Sequence, residues 1–308
     1  MLLSVVMSVY NGEKYIREQL QSLKSQSRQP DEVLIFDDGS TDNTSEIVID
    51  FIRDNNLKNW QFIKNRVNKG WRRNFIEGMW QAKGDLIFTC DQDDIWRPDK
   101  LQIMEEVMKT HPEVKLLTSN YKEFYEDGTT KIGPWKNDHN LMKIELPNNY
   151  LLVKSPGCTH CIRKGIVELT KKYWRPTYAH DALVWRLAQF ADGLYAYTDT
   201  LISWRKHTQS AFAKESRDLK CISEKEKWIG EAKKFCKDLH KYIREDVAGN
   251  VAKQEKVLMR NDKWLAVRTK FYQTKNPLRG LQLAFYWDCF PRYRQYLGDW
   301  YLLFIKRK

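Results

Sequence analysis

The 308-residue sequence predicts an α/β fold: a Rossmann-like, mostly parallel sheet with helices on both faces, followed by a helical extension. Three observations lead there. From residue 3 to about residue 120, short apolar runs alternate with amphipathic segments; the unusual polar residues fall at the ends of those runs; and after about residue 215 the pattern is almost wholly helical. With 42% hydrophobic residues, the chain can bury a sizeable core.

The apolar runs are Leu3 to Val9, Glu32 to Phe36, Trp60 to Ile63, Asp85 to Cys90 and Val114 to Ser119. Short, nearly continuous apolar runs are how strands covered on both faces read. Between them, residues 13–26, 42–55, 71–83 and 98–110 carry apolar side chains at helical spacing, as Tyr15, Ile16, Leu20 and Leu23 do. This βαβα rhythm implies parallel strands joined by right-handed crossovers. Residues 121–150 are polar and contain the turn pairs Asp127-Gly128 and Gly133-Pro134, most simply a hairpin or loop excursion. Amphipathic stretches follow from Lys164 to Tyr173 and from Asp181 to Phe190, then two short runs around Tyr195 and Leu201. A domain over residues 1–213 and a helical region over 214–308 are expected.

The net charge of +12 is unevenly placed. Residues 211–308 hold 23 Lys+Arg against 12 Asp+Glu, leaving 29 against 28 for the rest. A nucleic-acid binder spreads basic and aromatic residues over its binding fold, so a nearly neutral front argues against nucleic acid as partner. The six cysteines lack paired metal-ligand spacing, and Cys158 with Cys161 is a lone CxxC. A reducing, cytoplasmic setting fits that usage. The first residues lack the basic region and cleavage site of a signal peptide and read as a buried strand.

Tyr10-Asn11-Gly12 follows the first run, Asp37-Asp38-Gly39-Ser40 the second, and Asp91-Gln92-Asp93-Asp94 the run ending at Cys90. In open α/β sheets, ligands bind at the carboxyl edge of the strands, where strand order reverses. Three carboxylates within four residues repel one another without a cation, and Mg²⁺ or Mn²⁺ takes such oxygen ligands while leaving positions for phosphate. The other reading of the cluster is a capped helix start near Pro98. The Asp37–Asp42 stretch likewise reads either as a turn with an N-cap or as a carboxylate accepting the imide N–H of uracil or thymine. No GxGxxG follows the first strand and no GxxxxGK[ST] is present, which argues against a dinucleotide dehydrogenase and a P-loop enzyme.

Five segments, Ser4–Gly12, Phe36–Asp42, Asn68–Phe75, Ala82–Asp85 and Cys90–Trp96, together resemble the inverting glycosyltransferase family 2 with the GT-A fold, and especially its rhamnosyltransferase-like branch. The resemblance covers roughly residues 1–210. It implies that Tyr10, Asn11 and Glu13 line the base and ribose edge and that Asp38 contacts the nucleobase. Asp91, with Gln92 beside it, would sit near the ribose and diphosphate, and Asp93 would be a metal ligand. The Asn68–Arg73 loop would close over the nucleotide, with Arg72 or Arg73 on a phosphate. His180-Asp181 resembles the catalytic-base motif, with Asp181 the base; alone, Asp181 also reads as an N-terminal helix residue. Pro156-Gly157-Cys158-Thr159 resembles the segment lining the acceptor side, and His207 a metal or diphosphate ligand.

The implied reaction is a single displacement that transfers a sugar, rhamnose among the candidates, from a dTDP- or UDP-sugar to a glycan or lipid-linked acceptor of the cell envelope, with Mn²⁺ or Mg²⁺ as cofactor. Eleven aromatic residues lie between 271 and 308 among seven basic ones. They suit the inner surface of an anionic membrane, and they also suit the core of a small helical subdomain or a homodimer interface. The competing function class is a sugar-nucleotide or glycan-binding module that kept the fold without turnover.

Overall fold

The computed structural model describes residues 1–207 and 221–306. The expected boundary at 213/214 lies outside the described residues. Two compact units emerge, one of residues 1–144, 154–188 and 193–206, the other of 145–153, 189–192 and 207–308.

The first unit is built on a ten-stranded sheet. Strands β1 (Leu3–Val9), β2 (Glu32–Asp37), β3 (Trp60–Lys64) and β4 (Leu86–Cys90) run parallel in the order β3-β2-β1-β4. Helices α1 (Ile16–Lys24), α2 (Thr44–Asp54) and α3 (Trp71–Gln81) make the crossovers. Side chains alternate across a strand, so β1 offers Leu3, Val5, Met7 and Val9 to one face and Ser4, Val6 and Ser8 to the other. The first set packs with Ile16, Leu20 and Leu23 of α1, Val48 and Phe51 of α2, and Leu101, Met104 and Met108 of α4 (Lys100–Thr110). On the other face lies α3, whose Asn74 donates to Ser8 Oγ at 2.7 Å and to the Phe36 carbonyl at 2.9 Å.

Beyond β4 the sheet turns mixed. The order continues as β9 (His160–Arg163), β6 (Leu116–Tyr125), β10 (Leu194–Lys206) and the two-residue β5 (Ile95–Trp96). β9 is antiparallel to both β4 and β6, whereas β10 and β6 are parallel. The expected excursion over 121–150 is the far half of β6 hairpinned to β7 (Thr130–Ile132), then β8 (Leu141–Lys143) on β10. The expected helices over 164–173 and 181–190 are α5 (Lys164–Tyr173) and α6 (His180–Phe190).

In the second unit, α7 (Ile222–Glu245) and α8 (Ala252–Thr274) pair through Phe235, Leu239, Leu258 and Leu265, all buried. The short helices α9 (Pro277–Leu283) and α10 (Arg294–Trp300) follow. At its centre Arg268 and Asp299, both fully buried, form a bidentate ion pair of 2.7 and 2.8 Å. The Tyr272 hydroxyl donates to the same carboxylate at 2.7 Å, and the guanidinium lies against the rings of Trp228, Trp264 and Phe290.

Candidate active site at the carboxyl edge of the sheet

Register places the polar motifs side by side. Val9 is level with Asp37 and Met7 with Cys90, so Tyr10, Asp38 and Asp91 all begin where β1, β2 and β4 end. Strand order reverses between β1 and β4, where open α/β sheets leave a crevice.

Side chains lock the three turns to one another. The Gln92 amide pairs with the Tyr10 backbone, accepting from its N–H at 2.8 Å and donating to its carbonyl at 3.0 Å. A Cβ on Gly12 would lie 2.5 Å from Gln92 Oε1, so any side chain there would push that amide off the Tyr10 backbone. Asn11, with φ +48°, accepts from the Thr41 N–H at 2.9 Å, and Glu13 accepts from the Asn43 N–H and side-chain amide, both at 3.0 Å. Asn11, Glu13 and Gln92 thus shape the floor of the site through the loops they hold. Tyr10, Asn11 and Glu13 are exposed, and Gln92 is half-buried.

The neighbouring aspartates of the Asp37–Asp42 stretch take different partners. Fully buried Asp37 holds the turn, accepting from the Ser40 N–H at 2.8 Å and from the Ser40 and Ser45 hydroxyls at 2.6 Å each. Asp38 faces the 65–70 segment and accepts from Asn65 Nδ2 at 3.0 Å and from the Lys69 and Gly70 N–H groups at 2.8 Å each. A carboxylate with three such donors still has acceptor capacity. Arg73 lies against Glu77 at 2.6 Å, and Arg72 stacks on the Trp71 ring at 4.4 Å.

Asp91, Asp93 and Asp181 share one electrostatic environment. The Asp91 carboxyl is pushed up to about 7 by its burial, then by the charges of Asp93 and Asp181. Asp94 is also raised, by its burial first and then by the charges of Asp93 and Asp91; its Oδ1 accepts the Arg205 N–H at 2.9 Å. The 3-10 turn Gly157–Thr159 lies beside these groups. Gly157 is pressed against His180 and Asp181: a Cβ there would meet Asp181 Cβ and His180 Nε2, each at 3.0 Å. His180 itself is buried, stacked on Phe75 at 4.1 Å between ring centroids, and burial lowers it to about 4. It is a neutral packing residue that fixes the start of α6 and, with it, Asp181. His207 directly follows β10 and belongs to the second unit.

The ligand atoms of Asp91, Asp94 and Cys158 lie within 4.8 Å of one another; the two desolvated carboxylates fit a hard divalent cation, which would relieve their repulsion, while the buried Cys158 thiol is a soft neighbour. Without that cation the Asp91 proton carries a stability signature. Folded protein keeps that carboxyl protonated to about pH 7, while an unfolded chain ionises it at about 4. The folded state holds the extra proton between those values, so this group's contribution to stability falls as pH rises through the window and levels off above it. In chelator, Asp91→Asn is therefore expected to gain Tm over wild type progressively from about pH 4 to 7, with a constant gap above. A gap independent of pH would contradict the assignment.

Sequence reasoning passed over two residues of the site. Arg205 donates through Nε to the Asp93 carbonyl at 2.8 Å and through Nη2 to Glu18 at 2.6 Å, and its guanidinium lies 4.4 Å from the Tyr15 and Phe124 rings. It sets the pitch of the Asp93-Asp94 turn. Lys100 is fully buried, donates to the Cys158 carbonyl at 2.6 Å and lies 3.5 Å over the Trp96 ring. Burial lowers it to about 8, partly offset by nearby Cys158, Cys90 and Asp94. The available signal for Arg205 was its place two residues before His207.

Residues 4–174 match the model of glycosyl transferase family 2. An uncharacterized glycosyltransferase of Nostoc sp. is 26% identical over 219 residues, covering 69% of this chain and 64% of the relative. The poly-beta-1,6-N-acetyl-D-glucosamine synthase of Staphylococcus epidermidis is 30% identical over 118 residues, covering 38% of this chain and 28% of that one. The chain thus spans less than two thirds of the length of these relatives. Among solved structures, S. aureus TarS 1-349 in complex with UDP superposes with a TM-score of 0.61 at 18% identity, covering 100% of this chain and 82% of that one. The mannosyltransferase PcManGT from Pyrobaculum calidifontis, in complex with GDP-Man and Mn²⁺, gives 0.54 at 13% identity, covering 99% and 88%. At these identities the structural likeness establishes a shared GT-A fold.

Proposed function

Because the chain belongs to glycosyl transferase family 2, we propose that it transfers a sugar from a nucleoside-diphosphate donor to an acceptor hydroxyl with inversion at the anomeric carbon. The observation that carries this reading is that Asp181, ninety residues further along the chain, acts on the Asp91 carboxyl together with Asp93. The UDP and GDP-mannose held by the structural neighbours support a donor of that class.

In this reading Asp181 takes the proton from the acceptor hydroxyl, a role that an ionised carboxylate at the start of a rigid helix can fill. Asp91 and Asp93 would hold a Mn²⁺ or Mg²⁺ ion, which would supply positive charge to offset that on the departing diphosphate. Arg205 keeps the Asp93 turn in place through its carbonyl. Asp38 and the 65–70 segment present polar backbone and carboxylate to the base. The Asp-Gln-Asp-Asp-Ile-Trp segment supports a dTDP-rhamnose or UDP-sugar donor, and the staphylococcal polysaccharide synthase supports a glycan or lipid-linked acceptor of the cell envelope.

The donor site is tested by a thermal-shift panel of UDP-, dTDP- and GDP-sugars, each with and without Mn²⁺ or Mg²⁺. One nucleotide class is expected to stabilise wild type in a metal-dependent way and to lose that effect in Asp93→Ala. Folded protein stabilised by none of them would overturn the reading.

The acceptor reading extends to a membrane surface. No helix among the described residues is long and apolar enough to cross a bilayer. The apolar residues of the tail divide: Phe271, Tyr272 and Phe290 are core, whereas Tyr293, Leu297, Tyr301 and Ile305, four residues apart in turn, are 51–72% exposed. Leu278, Leu281 and Phe285 form a second exposed set at helical spacing. Arg279, Arg292, Arg294 and Lys306 lie among them. This combination supports peripheral attachment to an anionic surface. Co-sedimentation with phosphatidylglycerol vesicles is expected and should be lost in Leu297→Asp/Ile305→Asp; retention in the supernatant by wild type, or a dimer dissociated by the same pair, would assign the stripe to self-association instead.

A further inference from the structure

We propose that Cys236, His240 and Asp262 form a binding site for one zinc-type divalent cation within the helical hairpin of the second unit. Cys236 and His240 are four residues apart on α7, so they stand on one face one turn apart. Asp262 reaches them from α8: its Oδ1 lies 3.2 Å from Cys236 Sγ and its Oδ2 2.8 Å from His240 Nε2. The three ligand atoms all fall within 4.8 Å of one another. Around a tetrahedral zinc ion, ligand lengths of about 2.0–2.3 Å imply separations of roughly 3.3–3.6 Å between ligand atoms. Small side-chain rotations suffice to reach that spacing.

The chemistry of the set selects the ion. A thiolate, an imidazole and a carboxylate suit zinc or cobalt(II), whereas Mg²⁺ and Mn²⁺ prefer oxygen alone. Cys236 is fully buried while His240 and Asp262 are 35% and 52% exposed at their side chains, so one side of the triad opens to water. A water molecule completes four-coordination there. Binding replaces the protons that now bridge the three groups: the Cys236 thiol proton leaves to solvent, and the imidazole carries its proton on Nδ1. The ion would then clamp α7 to α8, a structural role separate from the carboxylate cluster of the first unit.

The test is a cobalt(II) titration of chelator-treated protein in a phosphine reductant, read by absorption. One equivalent is expected to give a thiolate-to-cobalt charge-transfer band that zinc bleaches. That band is expected to vanish in Cys236→Ser, to be lost or red-shifted in the partly exposed His240→Ala, and to persist in Asp93→Ala. Folded wild type without the band, or a band that survives Cys236→Ser, overturns the proposal. Loss of nucleotide binding in Asp93→Ala with the cobalt band intact would leave the two sites independent.

Discussion

Asp181→Asn is expected to lower turnover by about 10²–10⁴-fold while leaving nucleotide affinity unchanged, the range that a positioned general base contributes. The substitution preserves shape. Asp181 Oδ1 accepts the Ala182 N–H at 2.7 Å, and an asparagine oxygen accepts the same bond, so the first turn of α6 is kept. The close approach of Gly157 to Cβ of residue 181 is also untouched. What disappears is proton affinity at the acceptor. Steady-state kinetics should show kcat and kcat/KM falling together, with the donor dissociation constant from a thermal or calorimetric titration unmoved. Near-wild-type turnover would move the base to another residue, and a parallel loss of nucleotide binding would make Asp181 part of the donor site instead.

The second large effect belongs to stability. Asp299→Ala leaves the Arg268 guanidinium buried without its counter-charge, which costs about 3–5 kcal/mol where buried pairs are broken from one side. The Tyr272 hydroxyl loses its acceptor at the same time. Contacts with Trp228, Trp264 and Phe290 retain part of the cation's stabilisation, since each ring face attracts it. With two units in the chain, a single global unfolding transition is not assured, so amide exchange of residues 264–272 is the better measure. Their protection should drop sharply in Asp299→Ala and recover in Arg268→Met/Asp299→Leu, where both charges are removed. A loss below about 1 kcal/mol would place the pair among weakly coupled surface-type bridges.

The first four strands were legible because each is a short, mostly apolar run, three of them closed by a polar motif, and the structure keeps them within a few residues of the expected spans. β9 was not. His160-Cys161-Ile162-Arg163 is four residues with polar ends, and its pairing with β4 and β6 is set by long-range packing that no local period reports. The single strand β10 reads as two runs because Thr198-Asp199-Thr200 interrupts its apolar pattern, at the place where its register on β6 slips. In the site, chain position alone brought Tyr10, Asp38 and Asp91 to one edge. The division of labour between neighbours required coordinates: Asp37 holds a turn while Asp38 faces a loop, and Arg73 pairs with Glu77. Buried Lys100 and half-buried Arg205 were hidden because such a cation is identified by the groups around it, and those come from three distant segments, at Glu18, Asp93 and Cys158.

The placement of β9 between β4 and β6 also governs how the chain can be made. On the ribosome, β1 to β4 emerge early and can pair at once, yet the outer edge of β4 has no native neighbour until residues 160–163 appear, seventy residues after Cys90. At elongation speeds of about 5–20 residues per second, that edge stays open for several seconds. An open strand edge recruits other chains, so nascent protein stalled between Cys90 and His160 is the species that chaperones must shield.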